Sequence, residues 1–426
     1  MRALLRPIED FWNSQARGGF ILFVVALLAF VIANAGGYGW YSALKETPLR
    51  LSFGDFALDK TLSSWVKDLL MSFFFLLVGL EIKREVVLGE LSDLRRALLT
   101  LLAAIGGMIA PAVVYLLLNA GGPGTSGWGV PMATDIAFSL GVLSLLGNRV
   151  PFGLKVFLTA FAIADDLGAI LIIAFFYSSS LNYAALLAAL SFFVLALVAG
   201  RLGVRMLGIY MLLGAFMWFF MLKSGVSPTV AAVLLAMAIP LSRAVKIPEL
   251  RSRLGELLRQ DSELLEAELG QLERTLERAQ SPLHRLEHLL HPWATYAILP
   301  VFAFFNAGVR LSGTGFGEVG LGAFLGLLLG KPLGIFLICW LAVRLGLAAL
   351  PAGVSWPMIL GAGFLGGIGF TMSLFVAALA FADKGLLDQA KMGVLSSSVV
   401  AAIVGLAVVS WAVRRTKDRL EPPVAD

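Results

Sequence analysis

The chain has 426 residues, 59% of them hydrophobic and only 14% charged, with a formal net charge of +5 at pH 7. Soluble domains carry about 25% charged residues, so the composition excludes a water-soluble globular fold and points to a polytopic membrane protein. A single cysteine, Cys339, excludes a disulfide framework, and the net charge follows from loop asymmetry rather than from a nucleic-acid motif.

In chain order, residues 1–16 hold Glu9, Asp10 and Trp12 and are expected to lie as a short helix at the membrane interface. By the criterion of ~20 apolar residues per span, twelve spans follow, at about 17–36, 62–86, 96–118, 127–146, 152–177, 182–200, 204–222, 226–241, 291–311, 320–343, 356–382 and 389–413. The first ends in Ala33-Asn34-Ala35, which resembles a signal-peptidase site, but the acidic segment before it argues against cleavage. Residues 48–58 alternate apolar and polar around Gly54-Asp55, which predicts a periplasmic β-hairpin. Its open edges invite pairing with a second copy, unless the hairpin only covers its own helices. At the end of the second span Glu81, Arg84 and Glu85 share a helical face by i, i+3, i+4 spacing. They form either a charge cluster at a cytoplasmic mouth or a solvated helix end.

In the fourth span Gly129 and Pro131 precede Thr134 and Asp135 near mid-span. A broken membrane helix frees backbone N–H and C=O groups, tolerable only where they line a cavity or meet compensating charge; the alternative is a proline kink with Asp135 capping its own helix. In the fifth span, Asp165 and Asp166 stand side by side near the midplane. Each costs roughly 2.5–3.5 kcal/mol on insertion scales, and such residues face ion or proton paths. The next three spans are nearly free of internal charge, and the turn from Lys223 to Ser227 leads into a helix begun by Pro228.

The 242–290 loop spaces its leucines by three or four residues, which predicts an amphipathic hairpin or coiled coil. Its end places His284, His288 and His291 on one face. These are a candidate pH-responsive patch or ordinary solvated histidines. Lys331 lies mid-span in the tenth segment and needs an acidic partner. Asp165 and Asp166 are the candidates: adjacent helical residues point ~100° apart, so one can pair with Lys331 while the other faces an ion path. The eleventh span carries Gly361, Gly363, Gly366, Gly367 and Gly369, enough to unwind it. Two interrupted spans seven apart suggest a transport site between inverted repeats, spans three to five and ten to twelve. Most of the 33 Lys and Arg fall on the side of the N-terminus, which predicts both termini in the cytoplasm.

These stretches together resemble the NhaA family of bacterial sodium/proton antiporters. The resemblance is carried by Phe-Leu-Leu-Val-Gly-Leu-Glu-Ile-Lys-Arg-Glu (75–85), Met-Ala-Thr-Asp-Ile-Ala-Phe (132–138) and Ala-Ile-Ala-Asp-Asp (162–166). Further on it is carried by Leu-His-Pro-Trp (290–293), Phe-Ala-Phe-Phe-Asn-Ala-Gly-Val (302–309), Gly-Lys-Pro-Leu-Gly (330–334) and Gly-Ile-Gly-Phe-Thr-Met-Ser (367–373). This family is itself among the transporters known to be built from inverted repeats with broken helices.

The resemblance implies an all-α polytopic membrane protein, a single antiporter domain of twelve transmembrane helices with two interrupted, plus the small hairpin. It implies that Asp166 binds Na⁺ or Li⁺, with Asp165 beside it pairing with Lys331 when no ion is held. Asp135, next to Thr134, would offset the positive ends of the broken helices and Lys331 the negative ends. Glu81, Arg84, Glu85, Glu287, His288 and His291 match the family's cytoplasmic pH-responsive cluster. No cofactor is expected beyond the transported Na⁺ or Li⁺ and H⁺. The expected partners are the lipid bilayer of the bacterial inner membrane and a second copy joined through the 48–58 hairpin, with no nucleic acid.

Two departures stand out. Ser227 occupies a position where some members carry a histidine tied to pH response, and the 242–290 loop is longer than is common. The expected activity is electrogenic, pH-regulated exchange by alternating access. One rival belongs to another class, and one lies nearer. An intramembrane aspartyl protease using Asp135 and Asp165 lacks the Gly-x-Gly-Asp motif and is ill served by Lys331. A passive cation channel would carry current without proton counter-movement.

Overall fold

The computed structural model describes residues 16–53, 56–178, 181–241, 281–310 and 315–420. The interfacial helix expected at the N-terminus, the turn Gly54-Asp55 and the leucine-patterned stretch 242–280 lie outside the described residues. Helix dominates the rest. In order, the elements are α1 (Ala16–Asn34), α2 (Tyr38–Glu46), strands β1 (Pro48–Phe53) and β2 (Phe56–Thr61), α3 (Leu62–Trp65), α4 (Met71–Leu88), α5 (Leu94–Asn119), α6 (Ile136–Ser144) and α7 (Phe152–Phe176). There follow α8 (Tyr183–Arg201), α9 (Leu207–Ser224), α10 (Pro228–Ala238), α11 (Pro282–Trp293), α12 (Leu299–Ala307), α13 (Gly317–Leu325), α14 (Lys331–Arg344), α15 (Trp356–Gly366), α16 (Phe370–Ala380) and α17 (Lys384–Leu420).

Among the described residues seven helical segments are long and apolar enough to cross a membrane, or eight if α15 and α16, bent by 47° at their break, form one span. Several other expected spans are divided. Single π-helical turns at Val66–Leu70, Ala294–Ile298 and Gly326–Gly330 join α3 to α4, α11 to α12 and α13 to α14. Such turns cluster at functional positions in helices, and the third ends immediately before Lys331. The fourth expected span is a 3₁₀ stretch, Pro123–Met132, followed by extended backbone into α6.

The described residues fall into two compact units. The first lies within Met1–Met71, Glu85–Tyr177 and Thr295–Asp426. Its two strands pair antiparallel from Pro48↔Thr61 to Phe53↔Phe56. The hairpin runs three residues beyond the expected end at Leu58 because Thr61 closes the strand and caps α3, its Oγ1 accepting from the Ser64 N–H at 3.3 Å. Trp65 Nε1 donates to Leu49 O at 2.9 Å and fastens the hairpin to the helix it precedes.

Within this unit α5 and α14 meet through glycine. A Cβ on either Gly106 or Gly334 would collide with the other's carbonyl oxygen, and one on Gly330 would lie 2.7 Å from Pro111 Cα. The small residues let the backbone bearing Lys331 approach its neighbour closely, as membrane helices do where no hydrophobic drive separates lipid from protein. Gly334→Val is expected to cost about 1–3 kcal/mol or more through overpacking. Thermal unfolding of the purified protein should show a Tm several degrees below wild type, and an unchanged Tm would contradict this contact.

The second unit lies within Ser72–Arg84 and Ser178–Ala294. Gly79 packs against Val233 and Ala236, and Gly214 against Leu235. Phe192 of α8 stacks on Phe216 and Phe220 of α9 at 5.1 and 5.7 Å between ring centroids. The outer face of α8 exposes Leu187, Val194 and Leu195, as a helix facing lipid does rather than one facing water.

Candidate functional site

The first unit contains two chain breaks, and each satisfies the other. At the first, α6 starts only at Ile136, because Pro131 cannot continue a hydrogen-bonded helix and Asp135 is extended with φ −89° and ψ 98°. At the second, α15 stops at Gly366 and α16 starts at Phe370. Carbonyls freed at the end of α15 accept from the first break: Thr134 Oγ1 donates to Gly366 O at 2.7 Å, Ser139 Oγ to Leu365 O at 2.7 Å, and the Asp135 N–H to Ile368 O at 2.7 Å. In return Ser373 Oγ donates to Ala133 O at 3.3 Å. Backbone groups that would be ruinously unpaired in a membrane interior thus find partners across the crossing.

Asp135 holds the crossing together. Its Oδ1 accepts the Phe138 N–H at 3.0 Å, capping α6. Its Oδ2 accepts the Thr371 N–H at 3.2 Å and the Thr371 hydroxyl, capping α16 as well. One carboxylate therefore faces two helix N-termini, each with a partial positive charge. It does cap its own helix, but the bond to α16 reaches 236 residues along the chain. Ser398 Oγ takes another free N–H of α16, that of Phe370, at 3.1 Å.

Asp165 and Asp166 project from the middle of α7, 0% and 1% exposed. Lys331, also fully buried, places its Nζ 2.7 Å from Asp165 Oδ2. The same Nζ donates to Met132 O, the last carbonyl of the 3₁₀ stretch, so a cation meets the negative end of that broken segment. The Phe161 ring, one turn before Asp165, lies 6.0 Å from Nζ, within cation–π range. Thr134 borders Asp165, and Asp166 is near enough for its charge to act on Lys331. Asp165 Oδ1 is buried with no well-formed hydrogen bond. The arrangement is two fully buried carboxylates, one ammonium and a set of hydroxyl and carbonyl oxygens at two facing helix breaks. Such a group can bind a small cation or a proton in place of the other.

The second unit brings together part of the expected charge cluster. Arg84 Nη1 pairs with Glu287 Oε1, and Glu287 is 8% exposed. Glu81 is half-buried on the same helix as Arg84, while Glu85 belongs to the first unit and accepts the Glu90 N–H at 3.0 Å. His288 and His291 are exposed. His284 is half-buried, and its Nδ1 lies 2.7 Å from Ser281 Oγ, which also caps α11. None of the three histidines is among the buried residues of α11. Ser227 is buried, 2.8 Å from the Thr229 hydroxyl.

Some contributors escaped the sequence reading. Thr371, Ser139, Ser398 and the Met132 carbonyl bind across the crossing through partners far away in the chain. Only Thr371 left a trace, as a polar residue just after the glycine run. Lys83 stood in the 75–85 stretch with no role attached to it: its Nζ donates to Met237 O at 2.7 Å and to Ile239 O, which places a cation at the C-terminal end of α10. Among the described residues no group of three or more His, Cys, Asp or Glu is placed to hold a resident metal ion.

Comparison with known proteins gives a consistent result. The sequence model of the family described as Na⁺/H⁺ antiporter 1 matches residues 9–409. The chain is 48% identical over 418 residues to the Na(+)/H(+) antiporter NhaA of Oleidesulfovibrio alaskensis, covering 94% of this chain and 93% of the relative. It is 46% identical over 429 residues to the protein of that name from Escherichia coli, covering 99% and 100%. To the Salmonella arizonae protein of that name it is 47% identical over 416 residues, covering 96% and 98%.

Proposed function

Because the chain belongs to the Na⁺/H⁺ antiporter 1 family, we propose that Asp165 and Asp166 form the one site at which Na⁺ or Li⁺ competes with H⁺. The protein is a sodium/proton antiporter, a multi-pass protein of the inner membrane and a transporter rather than an enzyme. The observation that carries the site is the buried Lys331–Asp165 pair beside a second buried carboxylate at the crossing of two broken helices.

Ion binding requires ionised carboxylates, so a cation and protons exclude each other. With Asp165 held by Lys331, Asp166 is the cation's main ligand, and Thr134 offers a neutral oxygen nearby. When the ion arrives, Asp165 is drawn from Lys331 toward it; when protons return, the pair re-forms. Asp165 is ionised in both states, so the exchanged protons sit on Asp166 and on Lys331: the ion displaces the first directly and, by taking Asp165 from the buried lysine, releases the second, which gives more than one proton per monovalent ion and hence electrogenic exchange. Asp135 fixes the crossing that presents these groups. Its role is structural, because its two oxygens already accept from both helix starts.

Twelve spans fit the chain when the segments joined by π turns are counted as single crossings, with spans three to five and ten to twelve as inverted repeats. Both termini lie in the cytoplasm by the charge bias of the loops. The hairpin, with Leu49 and Leu51 exposed, joins two copies edge to edge. No cofactor takes part.

The test is Na⁺-induced collapse of a preformed proton gradient in everted vesicles across a pH series. Collapse that grows with pH and charges an opposing membrane potential supports the site and its stoichiometry. Collapse indifferent to membrane potential removes the electrogenic reading, and its absence at every pH removes the function.

The Arg84–Glu287 pair is the regulatory candidate, since it joins two helices by a charge contact that is partly buried. Glu287→Gln keeps the shape and removes the charge, and with it a contact of roughly 1 kcal/mol. The variant is expected to show an altered pH profile of exchange with its maximal rate retained. An unshifted pH profile would make the pair purely structural.

A further inference from the structure

At the end of the first unit that carries the hairpin, a recess of about 620 Å³ opens between α2, the turns after α3 and the first turns of α17. Lys45, Lys67, Lys384 and Lys391 line it against two carboxylates, Glu46 and Asp388, with serine and threonine hydroxyls between them. Lys384 is engaged by Glu46 at 2.8 Å on the exposed rim. Lys45, whose ammonium lies 5.2 Å from the centroid of the Tyr41 ring, lines the rest of the recess together with Lys67, Lys391 and Asp388.

Lys391 is the decisive residue. It is 2% exposed, and its ammonium makes no hydrogen bond or ion pair with any described residue. Its charged neighbours are Lys45, which repels it, and Asp388, which attracts it without reaching ion-pair distance. A buried ammonium without a partner is strongly disfavoured. Lys331 meets that cost through Asp165 and Met132 O; Lys391 has only the recess to turn to. Burial pushes the Lys45 ammonium below the ordinary lysine range, the attraction of Asp388 opposing the shift and the repulsion of Lys384 adding to it.

We propose that this recess binds a small dianion of the phosphate or sulfate type, with Lys391 at its base and Lys45 and Lys67 around it. A tetrahedral oxyanion accepts charge-assisted hydrogen bonds from several ammonium groups at once, balances the excess charge, and leaves room for water beside it. The Asp165–Asp166 site shares no residue with the recess, so the two stand or fall separately. The oxyanion has two sources, a free ion in the surrounding water or the phosphate of an anionic lipid headgroup.

Calorimetric titration of the purified protein in detergent with choline sulfate, against choline gluconate at matched ionic strength, tests the site. Saturable heat from sulfate alone is expected. Lys391→Met and Lys45→Met should each weaken binding at least tenfold, while Lys223→Met, outside the recess, should leave it unchanged. Retained Na⁺-driven exchange in sulfate-free buffer shows that each variant is folded. No saturable binding by the wild type, or wild-type binding by both recess variants, would overturn the proposal. Repeating the titration in nanodiscs separates the sources. Equal affinity in phosphatidylcholine and phosphatidylglycerol marks a water-borne anion, and sulfate binding at least tenfold weaker in phosphatidylglycerol marks a headgroup already in place.

Discussion

Replacing Asp166 by Asn is expected to abolish sodium-driven proton movement while leaving the protein folded. Asn is nearly isosteric, so α7 keeps its packing, and the side chain is still 1% exposed space to fill. What disappears is the negative charge. A charged partner is worth roughly 1.5–3 kcal/mol more than nothing in its place, and each 1.4 kcal/mol is tenfold in affinity. Cation binding should therefore fall by about ten- to a hundredfold from this term alone. The variant also loses a titrating group, so whatever ion still enters no longer displaces the same number of protons. In everted vesicles Na⁺ should collapse the proton gradient with the wild type and not with Asp166→Asn, at equal protein content and a Tm within a few degrees. Exchange by the variant at wild-type apparent affinity would remove Asp166 from the site.

Lys331→Met is expected to be the most destabilising single change in the first unit. The lysine and Asp165 are both 0% exposed, and their contact is 2.7 Å. Removing one member of such a pair leaves an uncompensated buried charge, a loss of about 3–5 kcal/mol. Met132 O loses its donor at the same time. Combining Lys331→Met with Asp165→Leu should recover much of the loss, because well-packed apolar residues often replace a buried ion pair at little cost. The double-mutant cycle then isolates the coupling between the two side chains. Thermal unfolding of the four proteins reads it directly. Additive effects of the two single changes would mean that the pair contributes nothing as a pair, and with it would go the notion that ion binding competes with Lys331 for Asp165. Neither the single nor the double variant should exchange sodium for protons.

The carboxylates, the buried lysine and the two interruptions were legible in the linear chain because each violates a local rule. Charge in an apolar run is costly wherever the chain goes, and glycine and proline disturb a helix wherever it packs. The hairpin was legible for the same kind of reason, since alternation of period two is a local property of a strand. Its true end at Thr61 was not, because that is set by a cap on the following helix.

Tertiary structure alone decided which groups meet. Lys331 had two adjacent acidic candidates on the residues alone, and their ~100° separation on a helix means that the facing of α7 toward α14 chooses Asp165. Asp135 reaches Thr371, and Thr134 reaches Gly366, across 236 and 232 residues; no periodicity encodes a bond of that span. The histidines show the converse. His284, His288 and His291 share a helical face by count, yet a capping serine holds the first while the other two are exposed, and Glu287 turns inward to Arg84. Spacing along one helix says which side chains are neighbours on it. Which of them are buried, and against what, depends on the surface that packs over that helix, and that surface comes from elsewhere in the chain.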